Sequence, residues 1–394
     1  MIKEKCYLPS ASPLIGFPTS SSIPRRDFLS RAALGAGLGG LIPCVARGEP
    51  AAKMVHQQLA EAMGNAELAL IFQGNSAEEC RRWQRKFRAQ LEQLLGNSSP
   101  PQHWTISQES HVEFEKYTRW ELLLNADGFV SLPVYLLVPS GLRSGQRVPG
   151  VLCVHGHGRF GNDAVAGRRD MEGVSEEIDA MNYDYGVLFA ERGDVVAAPC
   201  MIPFGRRVDR TSYGGNDPCA ITFLRMQALG KLLITSNLRD LRWALDLLQS
   251  RDEVHPDAIG CAGLSYGGRT TMMVSAIDQR VRVAAVSGAL NLLQERMTHR
   301  HSCGAQLIPG LLRYGDYSEV GSLIAPRPSL WETGSTAPLI VPKADSVFRP
   351  RLRRTYAALG AEDHLHFDTF DGGHTWNGRA AFPLFNEVLR SSLQ

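Results

Sequence analysis

The sequence predicts an α/β fold built on a doubly wound, mostly parallel sheet. The first observation is a set of short, continuously apolar runs, such as Val151 to Val154 and Val195 to Ala198, which are typical of parallel strands buried on both faces. The second is that such runs alternate with segments of helical periodicity, as between Leu238 and Leu248. Strands that alternate with helices in this way favour a parallel sheet covered by helices on both sides.

Three regions precede or extend this alternating core. The sequence predicts an export signal over residues 1–48, an N-terminal helical segment over 49–101 and a catalytic domain over 102–394. Within that domain, alternating apolar and polar residues around a turn at Asn125 to Gly128 predict an antiparallel β-hairpin extension over 102–149, followed by the core over 150–394.

The first 48 residues have the pattern of a bacterial twin-arginine export signal. Arg25 and Arg26 precede Phe28 and Leu29, and a mildly apolar, glycine-rich stretch over 32–42 follows. That stretch is well below the ~20 residues that cross a bilayer. We therefore expect the twin-arginine export machinery as a partner, a periplasmic or secreted location, and no stable membrane span.

Composition argues against some partners and leaves others open. With 42 Lys and Arg against 40 Asp and Glu the net charge is +2, and no basic stretch with interleaved aromatics recurs in the body of the chain, so nucleic acid is a poor partner. The eight cysteines lack the paired spacing of a zinc ribbon. A disulfide among Cys200, Cys219 and Cys303 stays open.

The run Gly263 to Gly268 matches the G-x-S-x-G pattern of a strained turn that exposes a nucleophilic serine. An apolar strand, Ile259 to Ala262, precedes the pattern and a helix-compatible segment follows it. A serine hydroxyl needs a base, and His374 stands in a glycine-flanked loop between the predicted last strand and the last helix. The sequence therefore predicts Ser265 as nucleophile and His374 as general base.

The remaining parts of such a site are an oxyanion hole and an acid. His155 to Gly158 follow the first core strand, so the backbone N–H groups of His157 and Tyr266 are the predicted oxyanion donors. For the acid that orients His374, Glu332 at the end of a predicted strand is favoured over Asp345, with Glu295 third. A competing interpretation makes His155 and His157 metal ligands together with His299, His301 and Cys303; no carboxylate stands at ligand spacing, so the prediction is no metal and no cofactor.

Five spaced motifs together resemble the acetyl xylan esterase and dienelactone hydrolase-like branch of the α/β-hydrolases. They are the segments 155–158, 182–186, 263–268, 323–328 and 372–378. The resemblance covers about residue 104 to the C-terminus and implies an α/β-hydrolase fold and cofactor-free ester hydrolysis, often of acyl groups on polysaccharides. One position departs from the branch, since Ala337 stands about where an Asp is usual.

The leading functional hypothesis is an exported serine-dependent carboxylic ester hydrolase with an acyl-enzyme mechanism, which would deacetylate an esterified carbohydrate or act on a small ester. Two alternatives stay open. One is a serine peptidase or amidase of the same fold, because the same triad cleaves amides. The other is a degenerate hydrolase fold that only binds a ligand, which the absence of an Asp at Ala337 motivates.

Overall fold

The structure is a computed structural model that describes residues 54–208, 213–214, 217–299, 302–339, 344–391 and 393. The predicted export signal, residues 1–48, lies outside these described residues. Over the described ranges, no helix is both long and apolar enough to cross a membrane. These described ranges fall within one compact unit.

Two helices begin the described chain, as the sequence predicted. The second begins after Ser76, whose Oγ accepts a hydrogen bond from the backbone N–H of Glu79, a pattern that satisfies a free donor at a helix start. Its apolar face, which includes Trp83, Phe87 and Leu91, packs into the core. The helices are α1 (Val55–Gly64) and α2 (Ala77–Leu95).

Nine strands form a single sheet with the order β1-β2-β3-β5-β4-β6-β7-β8-β9. The first three strands and β5 pair antiparallel, and the pairs from β5 onward are parallel. The predicted hairpin extension is therefore continuous with the central sheet through the β3 to β5 pair. The strands are β1 (Thr105–Glu113), β2 (Tyr117–Asn125), β3 (Leu132–Pro139), β4 (Val148–Val154), β5 (Val195–Pro199), β6 (Val254–Leu264), β7 (Val281–Ser287), β8 (Ser329–Gly334) and β9 (Leu365–Phe370).

Helices cover both faces of the sheet. Side chains of β4 alternate between the two faces, so that Leu152 joins the core on one side and Val151 the core on the other. The first core receives α2, α7, α8, α10 and α11, and the second receives α4, α5 and α12. The remaining helices are α3 (Asn162–Val165), α4 (Val174–Met181), α5 (Tyr185–Ala190), α6 (Pro218–Ala228), α7 (Leu233–Ser250), α8 (Tyr266–Ile277), α9 (Leu293–His299), α10 (Tyr317–Ser322), α11 (Arg349–Ala358) and α12 (Ala381–Ser391).

The predicted fold class is confirmed: the sheet is mostly parallel and doubly wound, with N-terminal helices and an antiparallel extension. The domain boundaries at 101 and 149 stay predictions. Because the parallel strands run in one direction, their carboxyl ends meet at one edge of the sheet, where ligands of open α/β folds bind. The residues that follow β4, β6, β7, β8 and β9 include the predicted site.

Candidate active site

Ser265 lies at a sharp turn between β6 and α8. Its backbone has φ 64° and ψ −119°, a conformation that a residue with a side chain adopts only under strain. Two hydrogen bonds hold the turn: the Ser265 N–H donates to the Ser287 carbonyl, and the Ser265 carbonyl accepts from the Arg269 N–H, both at 2.9 Å. The chain therefore bends at Ser265 in the way that the G-x-S-x-G pattern predicted.

The glycines of the pattern are explained by the nearness of β4. A Cβ on Gly263 would lie 2.7 Å from the carbonyl oxygen of Val154, and a Cβ on Gly267 would lie 2.8 Å from the carbonyl carbon of His155. Neither distance is available to a side chain, so only glycine lets the backbone approach this closely. The close approach brings the segment after β4 beside Ser265.

A cavity of about 420 Å³ opens at Ser265. Its wall comes from the segment after β4, the first turn of α8, the residues after β7, and helix α6 with the residues before a 3₁₀ turn at Gly304–Gln306. The cavity is large enough for a small ester. Its lining residues are His157, Asp217, Cys219, Ala220, Ser265, Tyr266, Arg269, Gly288, Ala289, Asn291, Arg296, Ser302, Cys303, Gly304, Gln306 and Leu339.

The imidazole of His374 packs against Gly288, which lines this cavity. A Cβ on Gly288 would lie 2.7 Å from Cε1 and 3.0 Å from Nδ1 of His374. Both ring nitrogens are buried, and neither hydrogen-bonds to another described residue. Burial lowers the pKa of His374, and the positive charge of Arg296 and the nearby His157 lower it further. The ring is therefore neutral at neutral pH and free to accept a proton.

Glu332 lies within β8, which continues to Gly334, and not at the end of the strand as predicted. It is buried, and its carboxylate accepts three hydrogen bonds. The donors are the Ser287 hydroxyl at 2.8 Å and the backbone N–H groups of Asn377 at 3.0 Å and Gly378 at 2.8 Å. Burial raises the pKa of Glu332, and these hydrogen bonds oppose that rise. None of the three joins Glu332 to the ring of His374. The carboxylate instead holds the backbone three and four residues after His374, so its role as the triad acid stays a prediction.

The two alternative acids have different positions. Glu295 is buried in α9, one residue before the cavity-lining Arg296. Asp345 lies in a π-helical turn, Ala344–Phe348, and its side chain is outside the described part of the chain. At Ala337 the chain makes a turn in which its N–H donates to the Gly334 carbonyl at 3.1 Å. The turn from Gly334 to Ala337 therefore contains no carboxylate that could orient His374.

The two predicted oxyanion donors belong to the two segments that meet at Ser265. Tyr266 is the first residue of α8, so its N–H has no acceptor within the helix. His157 follows Gly156, whose N–H donates to the Tyr183 hydroxyl at 2.5 Å. Gly156 also lies against Ser265, because a Cβ built on Gly156 would be 3.1 Å from the Cβ of Ser265. Among the described residues, the N–H of His157 has no protein acceptor. Both groups are therefore available to a bound oxygen.

The structure separates the two histidines that the metal hypothesis joined. Nε2 of the buried His155 accepts from the Met201 N–H at 2.9 Å, and its Nδ1 lies 2.8 Å from the Gly156 carbonyl. Burial lowers the pKa of His155 to about 4, so the ring is neutral at neutral pH, and its Nε2 is occupied by the hydrogen bond from the Met201 backbone. His157 instead lines the cavity beside Cys219 and Cys303, with their potential ligand atoms all within 4.8 Å of one another. The His299 side chain and His301 lie outside the described residues.

Sequence reasoning missed Arg269, which lines the cavity. Arg269 is buried four residues after Ser265 on α8; its guanidinium lies 3.6 Å from the ring centroid of Tyr317 and donates to Asn291. Burial lowers its pKa to about 10, which leaves it charged at neutral pH. Its i+4 spacing from Ser265 was a local signal for a shared helix face. The sequence named Cys219 only as a candidate for a disulfide; its place in the cavity wall had no local signal, because its neighbours there are distant in the sequence.

Comparisons with known proteins agree with this fold. No family model matches the chain. The chain is 27% identical over 297 residues to YtaP of Bacillus subtilis (strain 168), which is described as a hydrolase; the match covers 73% of this chain and 92% of YtaP.

Solved structures are similar at lower sequence identity. A protein from Bacteroides fragilis NCTC 9343, described as an acetyl xylan esterase, superposes with a TM-score of 0.67 at 18% identity, covering 79% of this chain and 81% of that one. The methylesterase BT1017 gives 0.60 at 18% identity, with 85% and 68% covered. The glucuronoyl esterase from Solibacter usitatus gives 0.59 at 13% identity, with 83% and 97% covered. These likenesses show the α/β-hydrolase fold that the sequence motifs implied.

Proposed function

We propose that this chain, which has the α/β-hydrolase fold, hydrolyses carboxylic esters with Ser265 as the nucleophile. The observation that carries the proposal is the strained turn at Ser265, which presents this residue to a cavity. The wall of that cavity includes Gly288, and Gly288 packs against the imidazole of His374. A neutral imidazole with two unoccupied nitrogens is the group that a serine hydroxyl needs in order to lose its proton.

In the first half of the reaction, His374 takes the proton of the Ser265 hydroxyl as its Oγ attacks the ester carbonyl. The negative charge that develops on the carbonyl oxygen is stabilised by the N–H groups of His157 and Tyr266. The tetrahedral intermediate collapses, and the leaving alcohol takes the proton from the imidazolium. The product of this half is an acyl group on Ser265.

In the second half, His374 removes a proton from water as the water oxygen attacks the acyl carbon. The bond between the acyl carbon and Oγ of Ser265 then breaks, the acid is released, and the imidazolium returns its proton to Oγ. Glu332 assists through the loop backbone, because it binds the N–H groups of Asn377 and Gly378 and so limits the motion of His374. Its negative charge also favours the imidazolium that forms in each half. Neither ring nitrogen of His374 hydrogen-bonds to Ser265 in this structure, and we expect that hydrogen bond to form when substrate binds, as catalytic hydrogen bonds often do.

For the substrate we propose an ester carried by a carbohydrate, with acetyl as the first acyl group to test. Three similar structures bear the names acetyl xylan esterase, methylesterase and glucuronoyl esterase, and YtaP is described as a hydrolase. A cavity of about 420 Å³ suits a small acyl group with part of a sugar. Asn291 and Gln306 in its wall offer hydrogen bonds to hydroxyl groups.

The test uses the purified protein, p-nitrophenyl acetate and acetylated xylan. We expect release of p-nitrophenolate and acetate by the wild type and a loss of about 10³-fold or more in Ser265→Ala. Labelling by a fluorophosphonate, which reacts with activated serines, is expected in the wild type alone. Equal hydrolysis by both proteins would refute the proposal, and labelling without ester turnover would favour an amidase. A chain that neither reacts nor labels would be the binding-only alternative.

We also propose that residues 1–48 direct export by the twin-arginine route. The support is the pattern of Arg25 and Arg26 before a weakly apolar stretch. Expressed in a bacterium that has this route, the chain is expected in the periplasmic fraction, and the double substitution Arg25→Lys and Arg26→Lys is expected to retain it in the cytoplasm. Equal export of both proteins would exclude the route.

A further inference from the structure

Two cysteines meet in the wall of the cavity that holds Ser265. Sγ of Cys219, in the first turn of α6, lies 3.0 Å from Sγ of Cys303, just before the 3₁₀ turn at Gly304–Gln306. The two residues are 84 positions apart in the chain, and both are free thiols in this structure. Only tertiary folding brings them together.

The other four described cysteines are packed differently. Cys153 and Cys261 are fully buried in central strands, where burial raises the pKa of each thiol. The Cys80 thiol faces the Thr355 carbonyl, and the Cys200 thiol donates to the Phe204 carbonyl. Within the described ranges, Cys219 and Cys303 are the cysteines whose sulfur atoms hydrogen-bond each other and line a cavity.

We propose that Cys219 and Cys303 form a disulfide bond that ties α6 to the residues around Gly304 across the cavity wall. A metal bound by the same thiols and His157 is the competing occupant. Two thiolates at ~2.3 Å from a tetrahedral metal lie about 3.8 Å apart. The sulfur atoms here are 3.0 Å apart, between that separation and the ~2.05 Å of a disulfide bond. The described residues offer three potential metal ligands, whereas a structural zinc ion takes four, and this favours the disulfide.

The chemistry needs an oxidant, and a small-molecule disulfide such as oxidised glutathione supplies it. The Cys303 thiolate attacks one sulfur of that disulfide, forms a mixed disulfide and releases one small thiolate. Cys219 then loses its proton to solvent and attacks the Cys303 sulfur, which releases the second small thiolate. Two protein thiols are oxidised by two electrons, and one small disulfide is reduced to two thiols.

The surroundings of Cys303 favour the first step. A hydrogen bond with Cys219 and the nearby imidazole of His157 lower the pKa of the Cys303 thiol. Because Cys303 lines an open cavity, a small disulfide can reach its sulfur atom. The fully buried thiols of Cys153 and Cys261 have neither advantage.

The bond would lie in a wall between two cavities. Behind Cys303 is a second, mainly apolar cavity of about 340 Å³, lined by Phe223, Leu224 and Leu307 among others. Ala220, Ser302, Cys303, Gly304 and Gln306 belong to the walls of both cavities. A disulfide at this place would hold α6 against the Gly304 turn and keep the wall of the Ser265 cavity closed.

The experiment uses the full chain equilibrated with excess oxidised glutathione, then quenched with acid, alkylated and digested. Mass spectrometry is expected to find a linked pair of peptides that contain Cys219 and Cys303, two hydrogens lighter than their sum and separated by reductant. The link is expected in the wild type and in the matched control Cys80→Ser, and is expected to be absent from Cys219→Ser and Cys303→Ser. The oxidised wild type is expected to melt at least about 3 °C above its reduced form.

Two outcomes would overturn the inference. One is a folded wild type in which both thiols remain open to alkylation after equilibration. The other is one zinc ion per purified chain that is lost in Cys219→Ser, which would assign the pair to a metal site. If the serine variants fail to fold, the comparison of oxidised and reduced wild type still decides. Because the peptide map needs no turnover, its result is independent of whether the proposed ester hydrolysis is correct.

Discussion

The carboxylate of Glu332 accepts a hydrogen bond from the backbone N–H of Gly378 at 2.8 Å. Gly378 is four residues beyond His374, so a carboxylate of β8 holds the loop that follows β9. The pairing of β8 with β9 brings the two ends together, since Glu332 and Asp368 are partners in that ladder. The carboxylate is thus placed to limit the motion of the loop that carries His374.

Glu332→Gln is expected to lower kcat about 10²-fold or more with a smaller change in KM. A glutamine keeps one acceptor oxygen but replaces the other with an NH₂ group. That NH₂ group would face the backbone N–H of Asn377 or Gly378, so two hydrogen-bond donors would lie against each other without an acceptor. Steady-state kinetics on p-nitrophenyl acetate measures the effect. Glu295→Gln is the comparison variant. A loss of kcat in Glu295→Gln, together with wild-type kcat in Glu332→Gln, would identify Glu295 as the acid.

Removal of the charge at Arg296 is expected to shift the acid limb of the kcat/KM profile to higher pH. The imidazole must be neutral to act as a base, and burial, Arg296 and His157 all lower its pKa below the usual 6.5. Activity is therefore lost only as pH falls through this lowered pKa. In Arg296→Met one cause is gone, so protonation begins at higher pH. Arg282→Met, an exposed arginine that pairs with Asp257, is expected to leave the limb in place.

Gly288→Ala is expected to lower kcat/KM about 10²-fold, because small displacements of a catalytic group are costly. The new methyl group would overlap Cε1 of His374, and the φ of 62° at Gly288 is unfavourable for alanine. Gly373→Ala is the matched control beside the same histidine, since a Cβ there has no atom within 4 Å. Equal kinetics for the two variants would show that His374 does not depend on its contact with Gly288.

Tyr183→Phe is expected to reduce both stability and kcat. The phenol oxygen accepts from the Gly156 N–H, and its removal leaves that buried donor without a partner, at a cost of about 1–3 kcal/mol in the free energy of unfolding. Because His157 follows directly, kcat is expected to fall about tenfold. Urea unfolding and kinetics measure the two effects. Tyr356→Phe, whose hydroxyl bonds Arg327 and Ser329 away from the cavity, is expected to lose stability with kcat unchanged.

Ser265 and the fold around it were predictable because their signals are local. The G-x-S-x-G pattern, the apolar strand before it and the helix after it occupy adjacent positions, and the turn at Ser265 has the backbone that this pattern requires. The alternation of strands and helices predicted the parallel sheet for the same reason. The placement of Glu332 beside a predicted strand and of His374 after the last strand also followed from the order of elements along the chain, although β8 continues past Glu332 to Gly334.

Only the tertiary structure decided the contacts between residues that are distant in the sequence, because no local pattern encodes them. The register of β7 against β8 pairs Ser287 with Glu332 and so directs that carboxylate to Ser287 and the histidine loop. Cys219 meets Cys303 across 84 residues, a contact that depends on how α6 packs against the turn at Gly304–Gln306. Helix and strand periods are set by neighbours in the chain, whereas register and packing are set by the collective burial of the whole core. The sequence by itself therefore determined the sheet and the turn at Ser265, and the folded chain decided which groups surround them.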